Sequence, residues 1–417
     1  MGLGWFFVLL FPGLLLAQSD KSHPMSLQAC EASFLKNNLE LLATQYNIDG
    51  QKAQIIQAKL WDNPIVSTDL AAYSTGRGRV FDVGKNGQKA VAVQQLIYLG
   101  KKKQYQVELA RKNSELAESE YKVLLRNLRF QLRISFHNAY FDNLTLQAVT
   151  RQLQSLDTLI TAYNAQASKG NVPLRDVVRL QSLFLKLRND RAELTNNIIA
   201  EQQTLAIITG LDSLIIPSPT AAESAIYTSS QKVVRDSLLA LALKNRPDLQ
   251  YSEKNIAVAQ ANLNWQKALA KPDIVLGLGY DQRGNAFANQ FSLTASIPIV
   301  LWNRNQGNIQ TAAAYVKGTQ SQRDYQIIAL QTEVNAVYQK YLEAVRNYQS
   351  TSSAMEGNFE AVNKGIFENF QKQNITLLEF TDFVESYNES INEFNRIKKI
   401  RTNVYEEINY ITGFNLF

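Results

Sequence analysis

Ile274-Val275-Leu276-Gly277-Leu278-Gly279-Tyr280 and Phe291-Ser292-Leu293-Thr294-Ala295-Ser296-Ile297 are the two runs that decide the fold. In each, large apolar residues take every second position. Glycine, serine or threonine fills most of the positions between. That period of two belongs to a strand with one apolar face and one small or polar face. The polar, glycine-containing segment Asp281 to Gln290 joins the runs, so together they read as a hairpin.

Working outward, a helical pattern precedes the hairpin from Val233 to Leu269, and Pro272 ends it. A long stretch without proline follows from Asn303 to Lys372, with Val334, Val337, Tyr341, Val345 and Tyr348 at helical spacing. A tight break comes at Gln373-Asn374. A final helix is expected over Thr376–Thr412, stopped by Gly413.

The first half of the chain repeats this plan. Leu35–Pro64 aligns with Leu243–Pro272 at a shift of 243 − 35 = 208, and nine of these thirty positions are identical. Ile208-Thr209-Gly210 matches Ile411-Thr412-Gly413 at a shift of 413 − 210 = 203. The first half therefore has a helix over Leu27–Trp61 and a proline stop at Pro64. Its weaker hairpin has Val66, Thr68, Leu70 and Ala72 on one side and Val91 and Val93 on the returning strand. A longer loop, Ser74–Lys89, absorbs the five extra residues. A long helix over Gly100–Lys169, a break at Gly170-Asn171 and a helix over Pro173–Thr209 complete it. At 1.5 Å per residue the long helix spans roughly 100 Å and its neighbours about half of that. Two short helices can then stack beside one long one, giving a tall rod with strands at one end and a tight helical turn at the other.

The N-terminus reads as an export signal. Leu3 to Leu16 are almost wholly apolar, and Ala17-Gln18-Ser19 offers a cleavage point. The resulting division is 1–17 signal peptide, 18–210 first repeat, 211–230 equatorial linker near mid-height, and 231–417 second repeat. Leu27-Gln28-Ala29-Cys30 has the outline of a lipoprotein processing site. The polar Asp20–Pro24 segment detaches it from the apolar run, which favours a buried helix cysteine. After Ala17 no run is apolar enough for a membrane helix, so a membrane form must use strands. A hairpin in lipid exposes unpaired backbone at its edges, and four strands are still an open sheet, so several copies must share one barrel. The alternative is a soluble coiled coil carrying a small sheet.

Composition narrows the chemistry. One cysteine excludes an internal disulfide framework, and two histidines leave little for a Cys/His metal site. The net charge of +6 is spread along 417 residues, with no nucleic-acid motif behind it. His137, mid-helix among Phe136, Tyr140 and Phe141, reads as a packed side chain. No catalytic, cofactor or metal-ligating constellation emerges, so no enzyme is expected.

Several motifs carry a resemblance. Asn245-Arg246-Pro247-Asp248-Leu249, together with the doubled helix–hairpin–helix–turn–helix plan, resembles the TolC-like outer-membrane efflux proteins over nearly all of the mature chain. Ile297-Pro298-Ile299-Val300-Leu301-Trp302-Asn303-Arg304-Asn305-Gln306-Gly307, Asn37-Asn38-Leu39-Glu40-Leu41-Leu42 and Trp61-Asp62-Asn63-Pro64 are similar to the heavy-metal (CzcC-like) branch. The fold class expected is a mixed α+β membrane protein with an internal two-fold repeat, built from long antiparallel helical hairpins and four strands per chain.

The resemblance implies a homotrimer with a twelve-stranded outer-membrane barrel and a helical periplasmic tunnel. It also implies a periplasmic adaptor, an inner-membrane RND pump and efflux of heavy-metal cations, with drugs or other toxic organics as the second substrate class. A non-conducting structural envelope protein is the remaining alternative. The resemblance places Glu379 and Asp382, three apart on one helix face, at an acidic ring in the narrow periplasmic mouth. Asp176 is the first-half counterpart of Glu379. Plain helix-end stabilisation by these acids is the other reading. The turn residues Gly170, Asn171, Val172, Pro173 and Leu174, with Asn374, Ile375, Thr376 and Leu377, are the expected adaptor-docking tips, because apolar groups at a wet end suggest a partner. Packing of the hairpin ends within the trimer competes with that reading.

Overall fold

The computed structural model describes residues 23–228, 232–284, 286–355 and 359–417. The expected signal peptide and its cleavage point lie outside the described residues. In chain order the elements are β1 (His23–Met25), α1 (Leu27–Asn37), α2 (Leu39–Lys59), β2 (Ile65–Leu70), β3 (Tyr73–Ser74), β4 (Arg79–Val80), β5 (Gln88–Ile97), α3 (Lys102–Ser168), α4 (Leu174–Thr209), β6 (Ile215–Pro217) and α5 (Ala221–Ser224). There follow a 3-10 turn (Ala225–Tyr227), α6 (Arg235–Asn245), α7 (Pro247–Leu269), β7 (Ile274–Arg283), β8 (Phe287–Ser296), α8 (Gln306–Met355), α9 (Phe359–Gln371) and α10 (Leu377–Thr412).

The expected helices Leu27–Trp61 and Val233–Leu269 are each two helices, a correction with its own physical cause in each half. Asn38 and Arg246 both leave the helical region, with ψ of 116° and 120°, and they are equivalent in the repeat (246 − 38 = 208). Arg246 precedes Pro247, whose ring disfavours the helical conformation of the residue before it. Asn38 has no proline after it. Instead its Nδ2 donates to Ile208 O at 2.8 Å, so its side chain holds the break. Each break receives the end of its own half's last helix. Gly210, at φ +68°, lies against Asn37, where a Cβ would come 2.5 Å from the Asn37 carbonyl oxygen. Gly413, at φ +63°, lies against Asn245, where a Cβ would come 3.0 Å from its oxygen. The hydroxyls of Thr209 and Thr412, just before these glycines, donate to Leu205 O and Ile408 O, each at 2.7 Å.

The residues gather into two compact units, and each takes part of both sequence repeats. The first comprises the described residues within 23–38, 129–228 and 341–406. Its apolar core joins the ends of α3 and α4 to α9 and α10. Leu153, Leu156, Leu180 and Leu187 pack there with Phe370, Phe380 and Val384. Phe370 and Phe380 stack at 4.2 Å between ring centres. In this unit β1 pairs in parallel with β6, and Gln28 N donates to Glu223 Oε1 at 2.9 Å. The expected linker segment thus packs as structure in its own right. Cys30 is fully buried in α1, and burial pushes its thiol up to about 12, with Glu223 and Glu31 adding to the effect. That is the buried helix cysteine.

The second unit comprises the described residues within 39–128, 232–340 and 407–417. It holds one antiparallel sheet in the order β2-β5-β7-β8. The expected loop Asp281–Gln290 is shorter in the structure. The ladder continues through Asp281↔Gln290 to Arg283↔Phe287, with a register irregularity between, so polar residues extend both strands beyond the apolar band. β2 stops at Leu70, short of Ala72. The loop over Ser74–Lys89 carries the small β3–β4 ladder. Below the sheet, Ala259 and Leu263 of α7 pack on Ala312 and Val316 of α8.

Candidate functional site: a two-faced sheet and two helical turns

Register assigns the two sheet faces residue by residue. One cross-strand row is Val66–Val93–Leu278–Leu293 and the next is Thr68–Val91–Tyr280–Phe291. Leu278, Leu293 and Phe291 on these rows are 66%, 78% and 81% exposed. The alternating rows, Ser67–Ala92–Gly279–Ser292 and Ile65–Gln94–Gly277–Thr294, carry mostly small or polar groups. A Cβ at Gly277 would come 2.5 Å from Thr294 Oγ1, so this face has no room for larger side chains there. β2 and β8 are both edge strands with one unpaired side. An apolar face open to its surroundings, a crowded small face behind it and two free edges form a segment of a barrel wall rather than a closed domain. Among the described residues, no helix is long and apolar enough to cross a membrane.

The two helical turns, both in the first unit, are built alike. Asn171 N donates to Gln166 O at 3.0 Å, and Asn171 Nδ2 to Gln166 Oε1 at 2.7 Å. Asn374 repeats both bonds with Asn369, at 2.9 and 3.0 Å. The left-handed position before each asparagine is Gly170 in one turn and Gln373 in the other. Pro173 starts α4 without a side-chain cap. Thr376 starts α10 with a reciprocal one: Glu379 Oε2 accepts from Thr376 N at 2.7 Å and Thr376 Oγ1 at 2.8 Å, while Glu379 N donates back to Thr376 Oγ1 at 3.3 Å. The backbone and then the hydroxyl of Thr376 hold the Glu379 carboxyl below its usual range.

The expected acidic residues therefore differ in employment. Glu379 is engaged in capping. Asp176 lies 3.6 Å from Arg175 Nε. Asp382 is exposed on α10, with no ion pair among the described residues. The expected tips also separate. Ile375 and Leu377 pack against the apolar core, and Val172 is half-buried. Leu174 is 70% exposed. Val178, one turn after Leu174 in α4, and Leu378 at the start of α10, not singled out in the sequence, are also exposed; an apolar residue close to the start of each helix was the available signal.

A buried polar cluster in the first unit was also missed. Arg133 Nε donates to Glu31 Oε1 at 2.6 Å, and its Nη1 to Glu406 Oε2 at 3.0 Å. His137 Nε2 lies 3.5 Å from Glu406 Oε1, and its Nδ1 is 3.1 Å from the Tyr227 hydroxyl. This is the packed histidine, fixing the 3-10 turn to α3 and α10. In the second unit Arg246 bonds Asp248 and donates to Glu333 Oε2 at 2.6 Å, while Arg126 reaches Asp248 at 3.2 Å. Burial raises the Asp248 pKa, but the Arg246 hydrogen bonds and the nearby Arg126 outweigh it and hold the group at about 2. The Asn-Arg-Pro-Asp motif is thus a structural lock at the helix break.

Comparison with known proteins agrees with this geometry. Residues 238–363 match the outer membrane efflux protein family. The cobalt-zinc-cadmium resistance protein CzcC of Cupriavidus metallidurans is 24% identical over 328 residues, 74% of each chain. The pyoverdine export outer membrane protein OpmQ of Pseudomonas putida is 24% identical over 198 residues, 45% of this chain and 41% of that one. A crystal structure of CusC superposes with a TM-score of 0.73 at 15% identity, covering 93% of this chain and 92% of that one. This is the monomer fold of the TolC family, the fold that forms a trimeric barrel. With its two-faced open sheet and long helical hairpins, the chain has the fold of the TolC-like outer membrane efflux proteins, the family whose model its residues 238–363 match.

Proposed function

We propose that three copies of this chain close a twelve-stranded barrel and form the exit duct of a tripartite system exporting heavy-metal cations, fed by a periplasmic adaptor and an inner-membrane RND pump. The observation that carries the duct is the four-stranded sheet with both edges free and one apolar face exposed. Neither edge can stay unpaired in lipid. The heavy-metal reading is supported by the likeness to the resistance protein CzcC, which spans 74% of both chains. Export of an organic compound is the second reading, favoured by the shorter likeness to a pyoverdine export protein.

Within that reading the repeat boundaries 18–210 and 231–417, with the intervening segment 211–230, describe one duplicated plan. Asp176, Glu379 and Asp382, three of each in the trimer, would line the periplasmic mouth and favour cations. Leu174 and its neighbours Gly170, Asn171, Val172 and Pro173 would meet the adaptor, with Asn374, Ile375, Thr376 and Leu377 shaping the second turn.

The test is export by cells. Deleting the gene should raise cellular zinc, cobalt or cadmium under metal load, and the intact gene should restore it. Unchanged metal with retention of an organic toxicant would transfer the assignment to the second reading. A purified trimer without conductance in a planar bilayer would refute the duct. In a conducting trimer, Glu379→Gln with Asp382→Asn keeps the cap geometry and should reduce cation preference; unchanged preference removes the ring.

A further inference from the structure

From the groove where α2 ends and α3 begins, we infer that this chain binds the anionic headgroup of a phospholipid in the periplasmic leaflet of the outer membrane. The groove has a volume of about 380 Å³ and is lined by Lys59, Lys103, Gln104, Val107, Glu108 and Arg111. Three cations face one carboxylate, and Glu108 is shared by Arg111 at 3.9 Å and Lys112 at 3.8 Å. Lys103 donates to the Leu60 carbonyl and sits 5.5 Å from the centre of the Tyr98 ring. Lys59 and Arg111 are exposed. Asp62 is the nearby acid and is engaged by the Tyr98 hydroxyl at 2.8 Å.

Position supplies the second argument. Trp61 and Tyr98, 6.1 Å apart between ring centres, stand where the chain passes between helices and strands. Leu60 and Trp61 are exposed there. Aromatic rings of this kind mark the interface level of a membrane protein, with headgroups beside them and acyl chains along the apolar strand face. A basic groove at that level matches a phosphate on an acyl anchor.

The other half of the chain serves as an internal control. Lys101 and Asn305 are equivalent left-handed residues, and each accepts the first helical N–H, from Tyr105 and Ile309, both at 3.0 Å. At that shift (305 − 101 = 204) Lys103 and Arg111 correspond to Gly307 and Tyr315. Lys59 corresponds to Lys267 (267 − 59 = 208). Two of the three cations are absent from the second repeat, which folds the same junction without them.

This inference rests on the outer-membrane placement of the strands. The full-length protein is placed in nanodiscs of phosphatidylcholine with a minor share of phosphatidylglycerol, and lipid retained on re-extraction is counted by mass spectrometry. The intact protein should be enriched in phosphatidylglycerol. Lys59→Gln with Arg111→Gln, two exposed substitutions, should lower that enrichment on the order of tenfold. Adding Lys103→Gln should abolish it. Equal enrichment in the intact and substituted proteins overturns the inference, as does full displacement by millimolar inorganic phosphate. Failure to enter nanodiscs at all would instead refute the membrane reading.

Discussion

Three glycines share a left-handed backbone but differ in what surrounds them, which lets conformation and packing be measured apart. Gly170 has φ +75° and no atom within 4 Å of where a Cβ would stand. Gly413 has φ +63°, with backbone atoms of Asn245 at 3.0 and 3.1 Å. Gly210 has φ +68°, with Asn37 O at 2.5 Å and Asn37 C at 2.9 Å. Alanine at any of them costs roughly 1 kcal/mol for the left-handed conformation. At Gly170 that is the whole cost. At Gly210 the added methyl meets carbonyl backbone held by two hydrogen bonds, Asn38 N to Phe34 O and Asn38 Nδ2 to Ile208 O. Forcing it apart adds about 2 kcal/mol, as overpacking does elsewhere. Gly413→Ala should fall between.

Calorimetry of the purified protein reads the series. At about 2–4 °C per kcal/mol for a unit of this size, Gly170→Ala should lower Tm by about 3 °C and Gly210→Ala by about 9 °C. Asparagine, which tolerates the left-handed region, should recover most of the loss at Gly170 and none of it at Gly210. Equal losses at Gly170 and Gly210 would refute the interlock and leave both glycines as simple helix stops.

Three other outcomes follow from the geometry. On the exposed apolar face, Leu278→Arg should cost about 2–4 kcal/mol near mid-membrane and abolish heat-stable trimers on gels, while Gln290→Arg in the polar extension should not; equal trimer yield would remove that face from lipid. Asp248 has a folded pKa below its unfolded value, so its contribution is full above about pH 4 and is lost as pH falls toward 2. The gap is worth about 2 kcal/mol, and denaturant titrations should show this acid-sensitive loss in the intact protein and not in Asp248→Asn. At the turns, Leu174→Ser should leave stability within about 0.5 kcal/mol and weaken cross-linking to the adaptor, whereas Leu377→Ser should lower stability; intact cross-linking by Leu174→Ser would remove the first turn from the docking surface.

What was legible in the sequence followed from short periods. The alternation from Ile274 to Tyr280 fixed both strand and face, because each residue's side is decided by parity alone. Glycine at 210 and 413 marked helix ends for the reason the structure confirms. The break at Arg246 was signalled by Pro247 and passed over, since the apolar period runs through it; the break at Asn38 carries no local signal, because the bond that holds it comes from Ile208, 170 residues away. The β1–β6 pair is three residues long, too short for any alternation to register. The Arg133–Glu406–His137 cluster was hidden for a different reason. Each member looks like a surface residue of an amphipathic helix, and only a contact spanning 273 residues buries Arg133 against Glu406.

The duplication separates what the fold requires from what the ends are free to change. Asn37 and Asn245, Thr209 and Thr412, Gly210 and Gly413 are identical pairs, and all six belong to the interlock at the helix breaks. The two glycines are kept where backbone meets backbone and no other side chain fits. At the turns the same backbone ladder is kept by Asn171 and Asn374, while the residues around it diverge. Gly170 faces Gln373, Pro173 faces Thr376, Arg175 faces Leu378, and Asp176 faces Glu379 in the pairing. One turn leaves Leu174 in the open; the other buries the equivalent Leu377 more deeply and ties Glu379 into a cap. In the proposed trimer the six turns would therefore alternate between two kinds, giving three-fold rather than six-fold recognition. An adaptor meeting that end would find three exposed apolar sites separated by three capped ones, so each adaptor copy would have two unlike turns to tell apart.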